Sequence, residues 1–158
     1  MKSEEIKYFT MRITQCNRTE LLVVVFDIFL KYIEDAKFAY ESEDYEVYKE
    51  NMSKAQPVVS ELISALDFRY EIAAKLYVTY KYVLRRISKA IVKNDILELK
   101  DSVEKMESLR NDFFEISKTD DSKPLMQNYQ KVYAGLTYGK ESLNETVNDT
   151  GGKRGFLI

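Results

Sequence analysis

The sequence predicts an all-α fold: an antiparallel up-down-up-down four-helix bundle with a short N-terminal helical segment and a polar C-terminal tail. Three observations carry this prediction. All five glycines lie at or after Gly135, so the first 134 residues are poor in turn formers and rich in helix formers. Four long segments repeat apolar residues at steps of three and four. The connections between them, Glu41 to Glu43, Asp67 to Arg69 and the Asn94 region, are short enough to force successive helices antiparallel.

The N-terminal segment, Glu4 to Met11, is a short helix candidate. The first long helix is expected from about Thr19 to Tyr40, with Asn17 and Glu20 spaced as a capping box. Its core stripe is Leu22, Val25, Phe29, Ile33 and Ala36. The second runs from about Asp44 to Leu66. There Tyr48, Met52, Ala55, Val59, Leu62 and Leu66 form a seam of alternating fours and threes, and Pro57 is expected to kink the helix near Met52 to Gln56. The third spans about Tyr70 to Lys93, with Ala73, Leu76, Tyr80, Val83, Ile87 and Ala90 in line. The fourth spans about Asp95 to Ser117. Asp95 and Glu98 suggest another capping box, and the stripe runs from Ile96 through Leu99, Val103, Met106, Leu109 and Phe113 to Ile116. Each helix would be roughly 30 Å long. The domain reading is a bundle over residues 1–118 and a flexible or loosely strapped polar tail over 119–158, in which Leu125, Met126, Tyr129, Val132 and Tyr133 are spaced for one or two amphipathic turns and Phe156-Leu157-Ile158 is an apolar terminus.

Composition excludes several functions. The chain has 158 residues, 24 Lys plus Arg against 26 Asp plus Glu, and no histidine. A near-neutral balance argues against a nucleic-acid partner. The missing histidine excludes Ser-His and Cys-His catalysis and His-ligated metals. The longest apolar run, Leu21 to Phe26, is too short to span a bilayer, so no membrane insertion is expected. A single cysteine, Cys16, and an acidic start without a signal-peptide layout predict a cytoplasmic protein. The core stripes contain no carboxylate, so neither enzymatic activity nor a cofactor is expected.

What remains is surplus apolar surface. Beside its core stripe the first long helix carries a second one, Leu21, Val24, Ile28 and Tyr32, and the third adds Val78 and Tyr82. Such stripes serve either a wide core face or a groove for a partner helix or dimer mate. Twelve tyrosines and no tryptophan suit half-buried contact positions or bundle-rim packing. Lys81, Arg85, Lys89 and Lys93 form a basic ridge that Glu98, Asp101, Glu104 and Glu107 on the next helix are placed to neutralise. Asp27, inside the apolar run, needs a hydrogen-bonding or cationic partner.

In order along the chain, these residues resemble the flagellin export chaperone family FliS. Tyr8 and Ile13 precede the run Leu21-Leu22-Val23-Val24-Val25-Phe26-Asp27, which is similar to the family's apolar run ending in Tyr-Asp. Ala36-Lys37, Asp44-Tyr45, Ala55-Gln56, Glu61-Leu62 and Leu66-Asp67 follow in register. Leu76-Tyr77 through Tyr80, Tyr82 and Arg85-Arg86 looks like the family's Leu-Tyr and Arg-Arg pattern, and Leu109-Arg110 closes it. The departures are Phe26 for tyrosine, Thr79 for an aliphatic residue, and Pro57. The resemblance implies a cytosolic, non-enzymatic chaperone. It would bind the C-terminal segment of flagellin, block premature polymerisation and help deliver it to components of the export apparatus. Contact residues are then expected at Tyr8, Ile13, Leu21, Val24, Ile28, Val78 and Tyr82. A helical adaptor or secretion chaperone for a different client would share the groove, and exposed stripes allow a homodimer without client.

Overall fold

A computed structural model describes residues 1–126; the expectations for Tyr129 onward, including the apolar terminus, lie outside the described residues. Among the described residues the chain forms α1 (Ser3–Gln15), α2 (Arg18–Glu41), α3 (Tyr45–Ser64), α4 (Glu71–Lys93), a 3-10 turn (Ile96–Leu99) and α5 (Lys100–Ser117).

The helix ends follow from local chemistry. Glu20 N donates to Asn17 Oδ1 at 2.8 Å, and Asn17 N donates back to Glu20 Oε2 at 2.9 Å, so the expected capping box starts α2. Val47 N donates to Asp44 Oδ1 at 3.1 Å and starts α3. Asn94, left-handed at φ 53°, ends α4; asparagine tolerates that region better than other non-glycine residues. The α2–α3 turn instead places Glu43 at φ 60°. α3 runs through Pro57 from Tyr45 to Ser64 without a break.

Helix α2 is central, with α3 and α5 on its flanks, and α4 packs on α3 and against the start of α5. The antiparallel order shows in the pairings: Tyr48 Oη at the start of α3 donates to Ala90 O near the end of α4 at 3.1 Å, and along α2 Asp27 pairs with Arg110 while Thr19 meets Asp120. Phe26 joins three helices, its ring 5.7 Å from Phe113 on α5 and 6.3 Å from Tyr80 on α4. The seam expected on α3 is fully buried from Tyr48 to Leu62, and Tyr80, Val83, Ile87 and Ala90 of α4 face it across the core.

Three expectations change. The core face of α2 is wider than one stripe: Val23, Val24 and Phe26 are buried, whereas Leu22 and Val25 are half-buried at its edge. A helix with neighbours on three sides buries more than one stripe. The stripe of α5 stops at Phe113, and Ile116 is exposed. The Asp95–Glu98 capping box is replaced. Asp95 Oδ1 accepts from Leu97 N at 2.9 Å and opens the 3-10 turn, while Glu98 turns to α4. There it meets Arg86 at 2.7 Å, Lys93 at 2.9 Å and Lys89 at 3.1 Å. Three cations outcompete one backbone N–H for the carboxylate.

Lys93 and Lys89, with the Arg86 charge behind them, hold the Glu98 carboxyl at about 2, below its ordinary 4.5. A depressed value contributes stability that is full above the unfolded value and is lost as pH falls through the folded one. The stability difference between the wild type and Glu98→Gln is therefore expected to be constant above about pH 5 and to shrink toward about pH 2. Urea unfolding of both proteins across that range checks it; a gap that does not change with pH would remove the assigned role.

Candidate functional site

Helix α1 lies antiparallel along α2. Its inward face is small, with Phe9 and Thr14 buried, and Tyr8 stands exposed, edge-on to Phe9 at 5.4 Å. Val23, Val24, Phe9 and Cys16 are buried but lie outside the main core cluster. The second stripe anticipated on α2 is thus covered in part by α1.

Ion pairs do much of the fastening. Lys31 on α2 reaches Glu5 on α1 at 2.9 Å, with Glu34 at 2.8 Å and Asp35 at 3.0 Å on its own helix. Bonds to Glu34, Glu5 and Asp35 raise the Lys31 ammonium above its usual range, so it stays charged at any physiological pH. Asp27 is the partner-seeking carboxylate expected from the sequence. Its Oδ2 accepts from Arg12 Nη1 of α1 at 2.6 Å, and its Oδ1 accepts from Arg110 Nε of α5 at 2.8 Å. One side chain therefore ties α1, α2 and α5 together. Arg12 also lies over the Tyr8 ring, 5.5 Å from its centre.

Two cavities flank this cluster. The smaller, about 310 Å³, is bounded by Arg12, Cys16, Val23, Val24 and Phe114. The larger, about 440 Å³, is bounded by Phe9, Leu30, Ile33 and Val103 and by the charged Asp27, Lys31, Glu34, Lys37 and Glu107. Each combines an apolar floor with charged walls. Past α5 the chain crosses the α1–α2 joint: Asn17 Nδ2 donates to Asp120 O at 2.9 Å, and Leu125 N donates to Cys16 O at 3.0 Å. Cys16 is sealed beneath this crossing, its thiol donates to Ile13 O at 3.2 Å, and burial pushes its pKa up. It is an inert packing thiol.

The structure divides the seven anticipated contact residues. Tyr8 and Ile13 lie on α1, and Leu21, Val24 and Ile28 lie on α2. Of these Tyr8 is exposed, Ile13, Leu21 and Ile28 are half-buried, and Val24 is only 1% exposed as part of a cavity floor. Val78 and Tyr82 stand elsewhere, on α4. Val78 is exposed, whereas Tyr82 is engaged, its hydroxyl donating to Asp101 Oδ2 of α5 at 2.8 Å. Sequence reasoning missed Arg12 and Arg110, the partners of Asp27, and Asp120, which accepts from Asn17. The one signal pointing toward them was an acid inside an apolar run.

Among the described residues no helix is long and apolar enough to cross a membrane. Residues 1–120 match the family model described as "Flagellar protein FliS". A protein of Bacillus subtilis (strain 168) named "Flagellar secretion chaperone FliS" is 37% identical over 76 residues, covering 48% of this chain and 57% of that protein. The chain thus spans little more than half the length of that relative. With an all-helical bundle and a family match over most of its length, the chain belongs to the FliS family of flagellar proteins.

Proposed function

We propose that this chain is a cytoplasmic, non-enzymatic chaperone of flagellar export that holds the C-terminal segment of flagellin until it reaches the export apparatus. Family membership and the similarity to a flagellar secretion chaperone support the class of function. The observation that supports the binding mode is apolar surface near α1: two cavities floored by the buried Val23, Val24, Phe9 and Ile33, and the half-buried Ile13, Leu21 and Ile28 on α1 and α2. An unstructured client segment gains by moving apolar side chains from water onto this surface, and it forfeits chain entropy as it orders. In this reading Tyr8, Ile13, Leu21 and Ile28 are the outer contacts and Val24 is the floor. The lone thiol, buried and with a raised pKa, supports the non-enzymatic part of the reading.

Calorimetric titration of the full chain with a synthetic C-terminal flagellin segment from the same organism tests this. One-to-one binding with a negative heat-capacity change and a raised melting temperature is expected. Leu21→Asp combined with Ile28→Asp should weaken binding at least tenfold with a melting temperature close to wild type, since both side chains are partly exposed. Val24→Asp is not a usable probe, because it would place an unpaired carboxylate in a buried site. A folded wild-type protein that takes up no segment at high micromolar concentration would overturn the flagellin assignment and leave a helical adaptor or secretion chaperone with another client.

A further inference from the structure

The outward face of α4 has a charge pattern that the client surface does not use. This helix carries six cations, Lys75, Lys81, Arg85, Arg86, Lys89 and Lys93, against one acid, Glu71. Arg86, Lys89 and Lys93 are gathered by Glu98. Of the carboxylates expected to neutralise the rest, Asp101 is taken by Lys105 and Tyr82, and Glu104 and Glu107 make no ion pair with α4. Lys75, Lys81 and Arg85 have no ion-pair partner among the described residues.

Apolar side chains share this face. Val78 is 65% exposed and Val92 is 85% exposed. Val78, Arg85 and Val92 are seven residues apart in turn, so they line one stripe roughly 21 Å long with a cation at its middle. The flanks of α4 are occupied: Gln56 of α3 donates to Ser88 Oγ at 3.0 Å on one side, and Asp101 of α5 accepts from Tyr82 on the other. The stripe lies between them, facing solvent.

We propose that this face of α4 is a docking site for an acidic amphipathic helix from a partner protein, separate from the client surface. Apolar positions at the two ends of the stripe seat apolar side chains two turns to either side of the partner's centre. The free cations Lys81 and Arg85 between them select carboxylates there. A nucleic acid would use the cations but leave the two valines unsatisfied. A neutral apolar helix would cover the valines and strand one ammonium and one guanidinium group against its surface, at a desolvation cost.

The probe is a fluorescent, end-capped 21-residue helix of Glu, Ala and Leu with its leucines on one stripe, titrated into the full chain by anisotropy. Saturable binding is expected, weakening steeply as salt rises. Lys81→Glu with Arg85→Glu should weaken it at least tenfold, and Val78→Ser with Val92→Ser severalfold. All four positions are exposed, so melting temperatures should stay near wild type. Leu21→Asp with Ile28→Asp should bind the probe normally, which separates this site from the client surface whatever becomes of the flagellin reading. Three results would each overturn the proposal. The charge-reversed protein could bind as well as wild type. A leucine-free Glu/Ala peptide could bind equally, making the face a general polyanion site. Or sedimentation could show two copies of the chain covering the face and excluding the probe.

Discussion

Phe26→Ala is expected to cost about 3–5 kcal/mol of folding stability. Phe26 is fully buried, and its ring touches the aromatic rings of Tyr80 and Phe113, so truncation opens a cavity where α2, α4 and α5 meet. Those helices are pinned to other partners and cannot collapse into the space without disturbing Asp27, one residue along, and its bond to Arg110. Domains of this size are stable by only about 5–15 kcal/mol. At roughly 4 °C per kcal/mol, the melting temperature should fall by about 12–20 °C. Phe26→Leu, which keeps most of the volume, should lose far less. A melting temperature for Phe26→Ala within a few degrees of wild type would mean that the three-helix junction repacks freely and does not organise the bundle.

The second large effect is Asp27→Ala. It leaves two guanidinium groups, Arg12 and Arg110, each 26% exposed, facing one another without their shared anion. Breaking a fully buried ion pair costs about 3–5 kcal/mol; with this much solvent access about 2 kcal/mol is the appropriate expectation. The loss should be uneven. Backbone amides of α1 should exchange much faster in hydrogen-exchange measurements, because α1 has few other buried contacts, while α3 and α4 should change only by the drop in global stability. A replacement that removes all three charges, Asp27→Leu with Arg12→Met and Arg110→Met, should recover most of the loss, since the penalty lies in unpaired charge more than in missing attraction. Unchanged protection of α1 in Asp27→Ala would show that the ion cluster does not hold that helix.

How much of this was legible in the sequence depended on how far each feature reaches. The α3 seam was readable because its inward face is a single stripe: six residues in steps of four and three cover it, and all but Leu66 are buried. The Asn17–Glu20 cap was readable because both partners lie within one turn. Val23 and Val24 were not legible as buried, because their burial depends on where α1 docks. Asp27 announced that it needed a partner, yet neither arginine could be named at separations of 15 and 83 residues. Glu98 misled for the same reason. At i+3 from Asp95 it fits a local cap, but three cations on a different helix offer it more. For the contact residues, sequence periodicity marked apolar positions but could not separate the buried Val24 from the half-buried Leu21 and Ile28. The structure puts Val78 and Tyr82 on α4 and the other five on α1 and α2.

Those two separations also bear on the order in which the molecule assembles. During synthesis, α1 and α2 leave the ribosome long before α5, and their hairpin closes over a short loop at little entropic cost. The Arg12–Asp27 bond can form in that early piece, leaving the second carboxylate oxygen of Asp27 in water. Arg110 claims it only when the last helix arrives. The nascent chain therefore holds an open seam along α2, with one side of Phe26 uncovered beside it, until α5 has left the ribosome. The Asp27–Arg110 contact is highly non-local, and pairings of that kind slow folding because a long loop must close before they form.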